Sequence, residues 1–311
     1  LLRGVVAILA LFAACAFAGA AATTKPALPP APQGVLIDQD IAYLAPDRKE
    51  KLDLYLPAHR DELKPLPAVV MIHGGGWTGG DKAEPRSFNV ATTLAAAGYV
   101  CASINYKLDG ERWPTNLFDC KNAVRFLRRN AQKYQIDPKR IGVIGGSAGG
   151  HLALMVAYTS DVPELEPPSP YHDESDAVGA VVNLYGITNV AARRKIDSDG
   201  SAIGPPINKS ALLTKLYDED PALWRLASPV SHVSPKSPPT LIVHGTKDTT
   251  VNREQASELA EKLKAAGVEH RLIIFEGIGH TFDLKSWNRK PLPQDLRPIV
   301  IDFFDRHLKP Q

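Results

Sequence analysis

The chain has 311 residues, 44% of them hydrophobic, with 36 basic and 34 acidic side chains and a formal net charge of +2. That is length enough for one large core, and the charges are interspersed with no basic block to follow a phosphate backbone, which excludes nucleic acid as a partner. Neither an HExxH stretch nor paired cysteine motifs occur, so the sequence implies no metal and no cofactor.

The chain opens with "LLRGVVAILALFAACAFAGA", which has one early cation, Arg3, an apolar run too short to span a bilayer, and small residues at its end. Residues 1–20 therefore read as an export signal, with a secreted or periplasmic location and no transmembrane segment expected. The rival reading takes "FAAC" as a lipoprotein signal with a lipid anchor at Cys15. Residues 21–34, including "TTKPALPPAPQG", read as a stiff, extended linker. Residues 35–311 form the domain. It contains Cys101 and Cys120, which fit two buried thiols better than a disulfide.

Within the domain, "KLDLYLP" alternates like a strand near a sheet edge. "AVVMIH", "YVCASINY", "RIGVIG", "AVVNLYG" and "TLIVHG" are continuous apolar runs, as strands covered on both faces are. Helical stretches fall between them at 86–97, 117–134, 148–158 and 253–266. In the last, Asn252 and Gln255 spell a capping box, Ala256, Leu259, Ala260 and Leu263 share a face, and Gly267 supplies a left-handed stop. This alternation predicts an α/β fold, a mostly parallel sheet flanked by crossover helices. Two regions interrupt it. "DVPELEPPSPYHDESD" is an acidic, Pro-rich loop. The stretch 187–239, with short helical pieces "SALLTKLY" and "DPALWRLA", reads as a small cap over the carboxyl edge of the sheet. Long loops in a compact domain are more often functional than idle.

In such sheets ligands meet the chain where strands end and helices begin. Ser147 stands at one of these junctions, inside Gly145-Gly146-Ser147-Ala148-Gly149. A sharp strand-to-helix turn needs flanking residues without bulk so that the hydroxyl stands clear. Alone, the motif fits equally a Gly-rich turn whose serine caps a helix. A nucleophilic serine also needs a base and a carboxylate to orient it. Asp248 follows the strand-like "TLIVHG", and His280 follows the next run, "RLIIFEG", in the order Ser, Asp, His. Among the other histidines, His73 is expected to brace its glycine loop and His244 to be buried at a strand end. His151 lies on the helix after the serine. "MIHGGGWTGGDK" supplies a second Gly-rich loop after a strand, where Gly75 and Gly76 offer unobstructed N–H groups to an oxyanion beside that of Ala148. The N–H of Trp77 is an alternative donor, and its indole a candidate substrate contact.

Taken with "LFDCKNAVRFLRRNAQKYQIDPKRIGVIGGSAGGHLAL", "VVNLYGITNV", "PPTLIVHGTKDTTV" and "GIGHTF", these motifs resemble the α/β-hydrolase family. Within it they are similar to the esterase and lipase group with an HGGG oxyanion loop, hormone-sensitive-lipase-like, including bacterial feruloyl and acetyl-xylan esterases. The resemblance covers 41–308. It implies the α/β-hydrolase fold, a Ser147–Asp248–His280 triad, and oxyanion donors Gly75, Gly76 and Ala148. It leads to the expectation of a secreted serine carboxylic-ester hydrolase acting on small-molecule or polysaccharide-linked acetyl or feruloyl esters. Kynurenine-formamidase-like amidases and peptidases share the pattern, and a noncatalytic binding protein on the same scaffold is the alternative of another class. The chain departs from the pattern at Asn189, where relatives often carry aspartate, and in the acidic insert.

Overall fold

The computed structural model describes residues 28–61, 63–168 and 170–310. The export-signal and lipid-anchor expectations, and linker residues 21–27, lie outside the described residues; residues 28–34 carry no regular helix or strand.

Eight strands form one sheet: β1 (Val35–Ala42), β2 (Lys51–Pro57), β3 (Leu66–Ile72), β4 (Val100–Ile104), β5 (Ile136–Gly146), β6 (Val181–Leu184), β7 (Thr240–Gly245) and β8 (His270–Phe275). Their spatial order is 1-2-4-3-5-6-7-8. β2 pairs antiparallel with β1 and β4, and every other pairing is parallel. The strand expected near an edge is β2. It lies one place in because β1, whose mixed polar sequence gives no alternation to read, covers it.

Helices α1 (Pro85–Ala96), α2 (Thr115–Arg129), α3 (Ala148–Tyr158), α4 (Pro221–Leu226), α5 (Glu254–Ala265) and α6 (Arg297–Leu308) accompany the sheet, with a single extra turn at Ala131–Tyr134. On one face, Leu117, Val124, Leu152, Val156 and Leu259 of α2, α3 and α5 pack on Val70 and Val143. On the other, Val90, Leu94, Val300 and Phe304 of α1 and α6 pack on Val69, Ile144 and Val182. Successive strand residues thus serve opposite cores, which is why the central strands are apolar without alternation. Each such side chain contributes about 1.5–3 kcal/mol by leaving water. Cys101 and Cys120 are both buried free thiols.

Three local expectations are corrected. Gln255 does not close a capping box with Asn252. The residue preceding α5 makes no side-chain cap, and Gln255 turns inward, its Oε1 accepting from the N–H groups of Thr188 and Asn189 at 2.8 Å each. Two loop amides with no strand partner outweigh one exposed helix end, because a buried unpaired N–H loses its solvation outright. "SALLTKLY" forms turns, and of the two pieces only Pro221–Leu226 is helical, capped by Asp220. Asp220 Oδ1 accepts from Leu223 N–H at 3.0 Å, three residues on, whereas Ser210 Oγ accepts from Leu212 N–H at 3.1 Å, only two residues on, and no helix follows. The segment 187–239 also carries a ribbon, Arg194–Ile196 against Ala202–Pro206.

The acidic insert is latched to α2. Lys121 reaches Glu166 at 2.7 Å, Arg125 reaches Asp176 at 2.6 Å and Arg129 reaches Glu174 at 2.7 Å. The basic face of "KNAVRFLRR" thus holds this loop to the side of the domain, and none of its residues lines the cavity beside Ser147.

Candidate active site

β5 ends at Gly146 and α3 begins at Ala148, so Ser147 alone makes the turn, at φ 57° and ψ −123°. Three glycines make that turn sterically feasible. A Cβ at Gly145 would lie 2.2 Å from the Gly149 carbonyl oxygen, one at Gly149 2.1 Å from that of Ile72, and one at Gly150 2.4 Å from Asn183 Oδ1. The serine does not cap its own helix. Its N–H donates to Leu184 O at 2.9 Å, tying the turn to β6 and freeing the hydroxyl to point away from the sheet.

The hydroxyl meets His280. Ser147 Oγ and His280 Nε2 are 2.8 Å apart, and His280 Nδ1 is 2.7 Å from Asp248 Oδ2. A carboxylate only accepts, so Nδ1 carries the proton and Nε2 presents its lone pair to the serine. Asp248 is itself held in four directions. Its Oδ1 accepts from Thr250 and Val251 N–H groups at 2.8 and 2.9 Å, and its Oδ2 lies 3.2 Å from His244 Nε2 as well as against His280. Burial works to raise its pKa, yet the hydrogen bonds from His244 and His280 overcome that and hold the carboxyl well below the usual carboxylate range. Asp248 is therefore an anion at neutral pH. His244, fully buried, also donates toward Val251 O at 2.9 Å. Both of its neighbours are acceptors, which places its proton on Nε2 and makes it a brace for the acid.

Opposite the serine runs the loop from His73 to Gly80. Gly75 and Gly76 take φ of 110° and 63°, and both line the cavity. The Gly75 carbonyl accepts from Thr78 and Gly79 N–H at 3.2 and 3.0 Å, so the loop curls with its carbonyls inward. Among the described residues, the N–H groups of Gly75, Gly76, Trp77 and Ala148 donate to no protein acceptor. His73, expected to brace this loop, donates from Nδ1 to Gly74 O at 2.7 Å and stacks on Tyr106. Burial lowers its pKa to about 4, so the ring is neutral. The far end of the loop is fixed by Lys82, fully buried between Asp53 and Asp40, the latter at 2.8 Å.

Trp77 lines the cavity with only 1% of its surface exposed. Its indole N–H donates to His151 Nδ1 at 3.3 Å, and His151 Nε2 in turn donates to Ala227 O at 2.8 Å. The glycine loop, the nucleophile helix and the segment 187–239 are thereby joined through one imidazole. Burial lowers its pKa to about 4 as well.

Sequence reasoning missed two residues that shape the histidine. Tyr185 packs edge-on against the His280 ring at 4.9 Å and donates its hydroxyl to Phe282 O at 2.8 Å. Trp287 donates to His280 O at 2.9 Å. Only the continuation "LYG" after a buried strand hinted at the first. Asn189 lies outside the cavity lining and donates to Glu258 at 2.8 Å.

The cavity has a volume of about 490 Å³. Of the eight non-glycine residues with φ between 42° and 65° among the described residues, four, Trp77, Ser147, Tyr185 and Thr281, border it. Each costs on the order of 1–3 kcal/mol, a strain that persists only where packing over-determines the backbone and that clusters at functional sites.

The family description BD-FAE matches residues 52–263, about two thirds of the chain. The chain belongs to the BD-FAE family. Among curated relatives it is 33% identical over 223 residues to Esterase LipC of Mycobacterium tuberculosis, covering 71% of this chain and 54% of that protein. Esterase LipQ of the same organism is 30% identical, covering 73% and 53%. The chain thus spans about half the length of these relatives. Among solved structures, a truncated carbohydrate esterase from gut microbiota superposes with a TM-score of 0.76 at 27% identity, over 88% of this chain and 97% of that one. The acetyl ester-xyloside bifunctional hydrolase of Caldicellulosiruptor lactoaceticus gives 0.68 at 29%, over 84% and 89%. The fold is that of an α/β-hydrolase.

Proposed function

We propose that the chain is a serine carboxylic-ester hydrolase working through an acyl-enzyme. The observation that carries this reading is the unbroken chain Ser147 Oγ, His280 and Asp248, at 2.8 and 2.7 Å, opening on a cavity lined by unengaged backbone N–H groups. His280 Nε2 takes the serine proton as Oγ bonds to the ester carbonyl carbon, and Asp248 stabilises the resulting imidazolium. The oxyanion settles on the N–H groups of Gly75, Gly76 and Ala148. Collapse of this intermediate expels the alcohol, which takes the proton from His280. Water then attacks the acyl-serine, again losing its proton to His280, and the serine and a carboxylic acid are regenerated.

Its substrates on this reading are acetyl or feruloyl esters on plant polysaccharides met outside the cytoplasm; relatives named as esterases and neighbours named as a carbohydrate esterase and an acetyl ester-xyloside hydrolase support an ester on a carbohydrate. The test is a panel of acetyl, butyryl, feruloyl and long-chain esters beside matched amides, with a serine-directed fluorophosphonate. Ester turnover abolished in step with labelling of Ser147 is expected. Turnover of the amide at or above that of the ester would move the protein to the amidases. Failure to label, with no turnover, would leave a noncatalytic scaffold.

A further inference from the structure

The cavity holds a cation for which the protein supplies no anion. Arg193 stands at the start of the segment 187–239 and lines the cavity beside Trp77, its guanidinium carbon 5.9 Å from the indole centroid. None of its N–H groups has an acceptor, and it forms no ion pair, among the described residues. Burial alone shifts its pKa, downward, with no carboxylate near enough to oppose that. The other charges on the cavity wall are committed. Arg86 faces Glu84 at 3.6 Å, and Asp283 accepts from the N–H groups of Lys285 and Ser286 and from Ser286 Oγ, at 2.8, 2.6 and 2.9 Å. Behind the wall, the buried Asp248 is spent on its two histidines.

A half-buried guanidinium without a carboxylate is costly. The indole face of Trp77 offsets part of that cost and holds the group in place over the cavity. Its planar fork remains open, in a geometry that matches a carboxylate through two parallel hydrogen bonds.

Resting on the esterase reading above, we infer that Arg193 is a specificity-determining residue and that the cavity takes esters one limb of which carries a carboxylate. The anion comes either from a dicarboxylic acyl group or from an acidic sugar on the alcohol side. Either would pair with the guanidinium while the ester carbonyl lies between Ser147 and the amides of the glycine loop.

The experiment compares kcat/KM of the purified chain within two matched pairs: ethyl hydrogen succinate against ethyl succinamate, and acetylated methyl glucuronoside against acetylated methyl glucoside. A preference for the anionic member of roughly ten- to hundredfold is expected in one pair, carried by KM, as for a charge-assisted hydrogen bond. The pair that shows it identifies the limb. The preference should shrink as salt is raised, collapse toward unity in Arg193→Met and survive in part in Arg193→Lys. Hydrolysis of these esters with no anionic preference in either pair, or a preference that persists in Arg193→Met, overturns this inference and leaves the esterase reading intact. Hydrolysis of no ester at all overturns that reading, and this inference with it.

Discussion

In the loop from His73 to Gly80, a Cβ added at Gly74, Gly75 or Gly80 would lie 2.9, 2.1 or 2.3 Å from its nearest neighbour. In the ribbon of the segment 187–239, one added at Gly204 would meet nothing within 4 Å, and Ile203 is 46% exposed. The loop borders the catalytic cavity directly, whereas the segment reaches it only through residues such as Ile187, Arg193 and Ala211, outside the ribbon. The first is shaped by the sheet and by the nucleophile turn packed behind it, so its backbone has one conformation available. The segment is anchored by buried residues such as Val190, Leu212, Trp224 and Ala227, but its ribbon is left largely to solvent. Chemistry that needs amides and a hydroxyl held to fractions of an ångström belongs on the first. Selectivity, which tolerates variation, belongs on the second.

The sharpest way to break this comparison is at its rigid centre. Ser147→Ala should lower kcat by roughly four to six orders of magnitude with the circular dichroism spectrum unchanged. Because Ser147 sits at φ 57°, Ser147→Gly should also raise the melting temperature relative to Ser147→Ala. A folded Ser147→Ala with ordinary turnover would remove the hydroxyl from the chemistry.

The next largest effect is a pH dependence of stability confined to the buried core. His73 and His151 are lowered from 6.5 to about 4 by burial. Below pH 6.5 the unfolded chain takes up protons that the folded rings refuse, so stability is greatest above that value and falls as pH drops toward about 4. The loss amounts to about 3 kcal/mol for each ring at the end of that range. Urea midpoints measured across the range should show the decline, and His151→Phe should flatten its slope by up to about one proton. An unchanged slope would mean that the ring protonates in place.

Substitutions in the glycine loop come third. Gly75→Ala should cost at least about a hundredfold in kcat, as displaced amides miss the oxyanion. Gly76→Ala meets only Thr78 Oγ1, at 4.0 Å, and pays for its φ of 63° alone. It should therefore lose less, and kinetics of the two variants side by side would show whether crowding or dihedral strain governs the loop. The smallest change is expected at the brace behind the acid. His244→Phe removes one donor from Asp248 and should lower kcat about tenfold with KM unaltered, given the typical worth of a hydrogen bond to a charged group. A rise in KM instead would mean that His244 supports the cavity wall.

Much of the frame was legible from residues alone. "AVVMIH", "RIGVIG" and "TLIVHG" fall on β3, β5 and β7, and the glycines around Ser147 stand where a Cβ would collide. The helical spans at 86–97, 148–158 and 253–266 lie within a residue of α1, α3 and α5. Other features left no local mark. β1 carries polar residues on an edge that solvates them, Gln255 deserts its helix for a loop 66 residues away, and "SALLTKLY" has helical spacing and a serine at its start yet forms no helix.

By itself the sequence determined where strands give way to helices and where the chain must turn without side chains, because periodicity and glycine record burial and backbone conformation locally. Only the tertiary structure brought His280, chosen in the sequence by its place after a strand, to within 2.8 Å of Ser147, and it alone decided that His244 shares Asp248 with it and that Arg193 is left without a carboxylate. Those outcomes depend on distances between residues as far as 133 positions apart, and hydrogen bonds and charges act through space, where no neighbour in the chain can signal them.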